Sequence, residues 1–322
     1  MRLFILLLLA AALAGRTTTP LAAQRLGGLE ILAIPAGARP ASLAGAVTAA
    51  SSELDAVAYN PAAAAGAMTT LSISRADAPD LYQHYLFAGS TALRGFANVA
   101  AFARVLTFDA IQLVDENGTP LGEAAPQSIA VGVTAARRLL AALDAGASIK
   151  FISVDLGAQP PGATSSARGS GFAFDIGAVA RPLADLPVSV GAAVLDIGPA
   201  LDLGAEADPL PTRLRLGIGV EPLALLRRGP EQPVRALLLL DREQGLGEGA
   251  EGAALRFGAE VRLRDALALR GGLGTDGGDA GRLRQVFGLG VAVRRVRLDI
   301  AYEVSDSPAL SDQTHVSLVV WP

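Results

Sequence analysis

Apolar and polar residues alternate through most of this chain. No apolar run beyond its N-terminus reaches the roughly 18 residues that a membrane-crossing helix needs. In Arg213–Val220, Leu214, Leu216, Ile218 and Val220 share one face, and Arg213, Arg215, Gly217 and Gly219 share the other. Leu255, Phe257, Ala259, Val261 and Leu263 oppose Arg256, Gly258, Glu260 and Arg262. Val296, Leu298, Ile300, Tyr302 and Val304 oppose Arg295, Arg297, Asp299, Ala301 and Glu303. A period of two marks strands with chemically distinct faces. It recurs at Ile129, Val131, Val133 and Ala135 and at Phe172, Phe174, Ile176 and Ala178, and fades in Leu237–Leu240, where both faces are apolar.

About fourteen such segments can be placed, at 69–76, 82–91, 95–106, 127–137, 144–154, 170–180, 187–197, 212–221, 233–241, 254–263, 266–273, 284–292, 295–304 and 313–321. Each has roughly the 8–11 residues that a tilted barrel strand requires. Arg264-Asp265 and Val293-Arg294 form tight connections, whereas 108–126, 157–169, 243–252 and 276–279 are longer and rich in Gly, Pro or polar residues. Short turns alternating with long loops, and an even strand number, predict an all-β, transmembrane antiparallel β-barrel occupying 69–322. A soluble periplasmic β protein with a binding function is the alternative.

Composition narrows the functions. Apolar residues make up 51% of the chain without any membrane helix, which suits a barrel whose lipid-facing and lumen-facing residues alternate. There is no cysteine, so disulfides, thiolate metal sites and cysteine nucleophiles are excluded. A net charge of −4 argues against nucleic acid as a partner. At the N-terminus, Arg2 precedes an apolar stretch and then small residues, the pattern of an export signal over 1–23, cleaved after Ala23 or, earlier, after Ala14.

Between signal and strands lies a compact segment, 24–68, whose central part is GARPASLAGAVTAASSELDAVAYNPAAAAG at 37–66. Its Ala-rich composition also permits an amphipathic helix over 44–58 in a soluble domain. The small-residue start, the acidic residues and the Tyr59-Asn60-Pro61-Ala62 ending resemble the N-terminal signature of the PorV/PorQ family within the FadL-like outer-membrane barrels. The segment Ser189–Pro199, then Leu210–Leu214, Leu267–Gly272 and Leu298–Tyr302 extend the resemblance along the chain. It implies that 24–68 forms a plug, or hatch, inside the barrel. It also implies a function: first a secretion-associated (type IX) component that binds exported protein cargo or secretion components and, as the alternative, a channel taking up hydrophobic small molecules. Either would place the protein in outer-membrane lipid.

Candidate site residues follow from these patterns. Asn60, Pro61 and Ala62 form the hatch motif; Pro61 fixes its own φ and disfavours helix at Asn60, which predicts a rigid turn. Arg256, Glu260, Arg262, Arg295, Arg297, Asp299 and Glu303 are expected to face the lumen. There they are either a cross-strand salt-bridge ladder or a polar path for a substrate or an anion. His84 and His315 stand far apart in sequence without a motif and read as lumen or strand-end residues. Gly271–Gly278 lacks the Lys-Ser/Thr of a phosphate loop, and Asp241, Asp276 and Asp279 do not have the spacing of a calcium loop. No catalytic set, metal site or cofactor site is expected, and no enzymatic activity. The chain ends in an apolar strand with Trp321 penultimate and Pro322 last, where outer-membrane barrels usually end in Phe.

Overall fold

The computed structural model describes residues 29–322 apart from 51–52, 94–95, 115–116, 158–167, 182–186, 204–206, 227–232, 247–251, 276–282 and 305–311. The predicted export signal, Asp276 and Asp279 lie outside the described residues. The strands are β1 (Thr70–Ala78), β2 (Tyr82–Leu93), β3 (Ala97–Phe108), β4 (Ile111–Val114), β5 (Pro120–Ala124) and β6 (Gln127–Leu140). Next come β7 (Leu143–Asp155), β8 (Arg168–Ala180), β9 (Val188–Ile197), β10 (Leu201–Asp202), β11 (Ala207–Asp208) and β12 (Arg213–Val220). The last six are β13 (Val234–Gly245), β14 (Ala254–Leu263), β15 (Leu267–Thr275), β16 (Leu283–Val293), β17 (Val296–Val304) and β18 (Gln313–Val320).

Fourteen of these strands form one closed antiparallel barrel, in the order β1-β2-β3-β6-β7-β8-β9-β12-β13-β14-β15-β16-β17-β18 and back to β1. Closure is made by β1 against β18, from Leu71 opposite Val320 to Asp77 opposite Thr314. It leaves the barrel wall without an open strand edge, which is what lets a sheet cross hydrocarbon. The strand positions read from alternation agree with the observed ones to within a few residues. The small hairpins β4–β5 and β10–β11 are additional, and both sit in long connections at one end of the barrel. At the other end the connections include tight turns, with Arg264 and Asp265 at φ 50 and 54 and Arg294 at φ 56.

The two faces of the wall are chemically opposite. Leu298, Ile300 and Tyr302 are exposed, while Asp299 between them is fully buried. Leu255, Val261 and Leu263 are exposed, and Glu260 is buried. Apolar residues therefore point outward and charges inward, the arrangement of a barrel solvated by lipid. No helix among the described residues is long and apolar enough to cross a membrane.

The lumen is filled by the described residues of 29–67. This segment contains a 3₁₀ turn at Glu30–Leu32, the short helix α1 (Ala38–Ser42) and 3₁₀ turns at Leu54–Ala58 and Pro61–Gly66. The helix that composition allowed over 44–58 does not form; among the described residues of that range only Leu54–Ala58 is helical, as a 3₁₀ turn. Ala-rich sequence acts here through small volume rather than helix propensity, because the backbone must thread a narrow, walled space. The segment starts at the end with the long loops, where Leu29, Ile31 and Leu32 pack with Tyr82, Phe108, Leu201 and Leu210. It finishes at the end with the tight turns, where Asn98 Nδ2 donates to the carbonyls of Ala65 and Ala67 at 2.7 and 3.3 Å before the chain enters β1.

Candidate functional site

The filled lumen has three layers. At the loop end, inward residues of β1, β2, β3, β6, β7 and β8, with Leu201 and Leu210, line an apolar chamber: Ala78, Tyr82, Leu106, Phe108, Ile152 and Val154 are all buried there. Its occupant is the chain itself, through Leu29, Ile31 and Leu32. Burying a side chain such as Ile31 contributes about 1.5–3 kcal/mol.

Beneath the chamber, Arg104, Arg213, Arg215, Arg256 and Arg284 surround a cavity of about 30 Å³, roofed by Leu32–Ala36 and bordered by Tyr59 and Glu243. The guanidinium of Arg215 lies over the Tyr59 ring at 5.1 Å from its centroid, and the Tyr59 hydroxyl accepts the Ala36 N–H at 3.0 Å. Burial pushes the Tyr59 hydroxyl pKa up, so it remains a neutral phenol. Beside this cavity Lys150, the single lysine of the chain, pairs with Asp175 at 2.7 Å and with Asp196. Asp196 points inward because of a bulge between β8 and β9, where its φ is 60.

The third layer holds the plug by two devices. One is close backbone approach to glycines. A Cβ on Gly146 would lie 2.6 Å from Pro61 O, one on Gly272 2.5 Å from Ala44 N, and one on Gly258 3.0 Å from Leu43 O. Gly191 meets the Thr48 carbonyl in the same manner, while Gly177, Gly217 and Gly288 abut the side chains of Asn60, Thr48 and Ser42. Seven strands (β7, β8, β9, β12, β14, β15 and β16) thus each offer an inward glycine to the plug. The other device is a buried ion network. Arg39 of α1 pairs with Glu260 at 3.0 Å; Glu260 also binds Arg262 at 2.8 Å and Arg270 at 2.5 Å. Arg270 continues to Asp299 at 2.7 Å, and Asp299 to Arg297 at 2.6 Å. Glu53 of the plug closes the circuit with Arg262 at 3.1 Å and Arg297 at 3.5 Å.

The plug's own ionisable groups respond to this setting in opposite senses. Burial alone would raise Glu53, but the guanidiniums of Arg39, Arg297 and Arg262 outweigh it and hold the carboxyl at about 2. Burial dominates at Asp55, which is pushed up to about 6 with help from Glu53 and against the pull of Arg297. Burial opposes the charge of Arg39, yet Glu260 and Glu53 keep its pKa above the ordinary arginine value.

Each residue singled out in the sequence has a definite place. Asn60 caps the Pro61–Gly66 turn by accepting the Ala62 N–H at 3.0 Å, and its Nδ2 donates to Thr48 O at 2.8 Å and Ala178 O at 3.0 Å. Pro61 opens the turn and, like Ala62, is buried. Glu260, Arg262, Arg297 and Asp299 belong to the network above. Arg256 reaches Glu243 at 3.2 Å, and Glu303 binds Arg284 at 2.6 Å. These six residues face inward, as mixed-sign pairs. Arg295 does not: it is exposed in the turn between β16 and β17, because that turn falls at Arg294–Arg295 rather than one residue earlier.

His84 and His315 are brought near one another, each opposite Ala76 of β1, from β2 and β18. Asp241 is committed to Thr48, through its N–H at 2.9 Å and its hydroxyl at 2.6 Å, and to Arg215 at 3.0 Å. No group of three or more metal-ligating side chains occurs among the described residues. Arg39, Arg104, Arg270 and the Lys150–Asp175–Asp196 cluster were not singled out as candidates. The alternation of Leu269 with Arg270, and the solitary lysine, were the available signals.

No protein-family model matches the chain, and no curated protein matches it by sequence. Solved structures do resemble its fold. The Pseudomonas putida toluene transporter TodX aligns with a TM-score of 0.59 at 12% identity, over 91% of this chain and 96% of that one. The Ralstonia pickettii toluene transporter TbuX aligns with a TM-score of 0.57 at 14% identity, over 88% and 96%. A Pseudomonas aeruginosa FadL homologue aligns with a TM-score of 0.53 at 12% identity, over 88% and 96%. At these identities the likeness is one of fold. The chain has the closed, fourteen-stranded antiparallel transmembrane barrel fold of these FadL-like proteins.

Proposed function

We propose that the protein is an outer-membrane channel for hydrophobic small molecules, acting by passage and not as an enzyme. The observation that carries this reading is the apolar chamber at the loop end, lined by wall residues and occupied by the chain's own Leu29, Ile31 and Leu32. A space that holds leucine and isoleucine side chains suits a hydrocarbon of similar bulk. The fold shared with two toluene transporters supports the same direction. The narrower PorV/PorQ assignment, and a role with secreted cargo or type IX components, rest on the sequence resemblance and draw no support from these fold neighbours.

Uptake of a radiolabelled monoaromatic hydrocarbon by Gram-negative cells producing the full chain tests the proposal. Uptake is expected to exceed that of cells carrying empty vector, and to fall when Ala130→Phe narrows the chamber in a variant produced at equal level. Uptake equal to the vector control refutes it.

A further inference from the structure

We propose that the cavity among Arg104, Arg213, Arg215, Arg256 and Arg284 binds a single small monovalent anion of halide size. The lining carries five guanidinium groups and one carboxylate, Glu243. Four of the five have carboxylate partners. Arg213 pairs with Asp196 at 2.6 Å, Arg215 with Asp241 at 3.0 Å and with Glu243, Arg256 with Glu243 at 3.2 Å, and Arg284 with Glu303 at 2.6 Å. Arg104 is the exception. Its Nε donates to His84 Nε2 at 3.1 Å and its NH2 to Ile34 O at 2.6 Å, both neutral acceptors, and no carboxylate among the described residues pairs with it. Arg104 is 5% exposed, so water does not neutralise it from outside.

An unpaired buried charge is strongly unfavourable, and a bound counter-ion relieves it. The donors for such an ion are present. Arg213 and Arg256 line the same cavity, and their Nε groups are buried without a hydrogen-bond partner. The volume of about 30 Å³ exceeds the roughly 10–15 Å³ one water needs. It leaves no room for a carboxylate attached to a chain while Leu32–Ala36 form the roof. One surplus positive charge, spare N–H donors and a space for one small guest together specify a monovalent anion. Lying directly under the segment that fills the apolar chamber, the ion would hold the arginine layer together as the chamber floor. This site is independent of whether the chamber passes hydrocarbons.

Crystals of the full barrel in detergent, soaked in sodium bromide and measured at the bromine edge, test the site. The expected result is one anomalous peak within hydrogen-bond reach of Arg104 and of Arg213 or Arg256, absent in Arg104→Gln. A cavity with no bromide peak overturns the proposal, as does a peak that persists undiminished in Arg104→Gln. Density for a larger carboxylate ligand with Leu32–Ala36 displaced overturns the halide assignment. Should Arg104→Gln fail to fold, the wild-type peak decides, together with a thermal midpoint expected to be higher in chloride than in gluconate at equal ionic strength. Equal midpoints would count against the site.

Discussion

Gly271 and Gly272 are neighbours on β15 and face opposite ways, which makes them a controlled pair for testing how the plug is held. A Cβ added to Gly272 would lie 2.5 Å from Ala44 N, 2.6 Å from the Leu43 carbonyl carbon and 2.9 Å from Ala44 Cβ. Comfortable contact between carbon atoms lies near 3.5–4.0 Å, so the plug backbone must retreat by about 1 Å. It is flanked by Gly258 on β14 and Gly288 on β16, which are also in contact with it, so retreat is blocked from the sides. Overpacking of this kind costs about 1–3 kcal/mol. A Cβ on Gly271 meets nothing nearer than Val286 O at 3.9 Å, so the same substitution there is free of clash. Gly271→Ala should gain about 0.4–1 kcal/mol through the lower entropy of its unfolded chain. Urea unfolding of the barrel in lipid vesicles, followed by the fluorescence of Trp321, measures both. We expect Gly272→Ala to be destabilised and Gly271→Ala to equal or exceed the wild type. Equal effects of the two substitutions would show that the plug backbone does not rest on the glycines.

Other parts of the lumen give separate predictions. Asn60→Ala removes three hydrogen bonds and leaves the buried Thr48 carbonyl and the half-buried Ala178 carbonyl with one donor fewer; at about 1–3 kcal/mol per unsatisfied group, a loss of about 3 kcal/mol is expected in the same unfolding assay. Asn60→Asp should fare no better, since it cannot donate. Glu260→Gln deprives Arg39, Arg262 and Arg270 of a shared partner and is expected to cost about 3–5 kcal/mol, measured by the urea midpoint. Asp55, pushed up to about 6 from an ordinary value of 3.8 by burial, binds its proton more tightly when folded. Its contribution is fully present below about pH 4 and is lost as pH rises through 6. Asp55→Asn should therefore be more stable than the wild type at pH 7.5, by up to about 3 kcal/mol, with the difference vanishing near pH 4. A pH-independent difference would contradict the burial of Asp55 as its cause.

The strand series was legible because a lipid-facing and a lumen-facing residue must alternate along every wall strand, as Leu298-Asp299-Ile300 does. Alternation weakens at Leu237–Leu240 for a reason visible only in three dimensions. Leu239 turns inward yet meets the plug core rather than charge, while Leu240 meets the membrane side. The hairpins β4–β5 and β10–β11 were missed because each strand is two to five residues long, too short to show a period. The glycine ring was illegible for a different reason: an isolated glycine in a strand signals weakness or a bulge unless the backbone that approaches it is known. Arg295 was misplaced by a one-residue error at a turn: β17 begins at Val296, so Arg295 lies in the connection while Arg297 and Asp299 keep the inward face. Charges on the inner face were recoverable from alternation. Their partners were not, because Arg39 and Glu53 reach them from a segment more than 200 residues away in sequence.

Outer-membrane fractionation of cells producing the chain, followed by electrophoresis of heated and unheated samples, tests the central claim most directly. A closed barrel with its apolar face in lipid predicts recovery in the outer-membrane fraction and an unheated band that migrates faster than the heated one. Recovery in the soluble periplasmic fraction, with no heat-dependent shift, would contradict both the transmembrane barrel and the channel built on it.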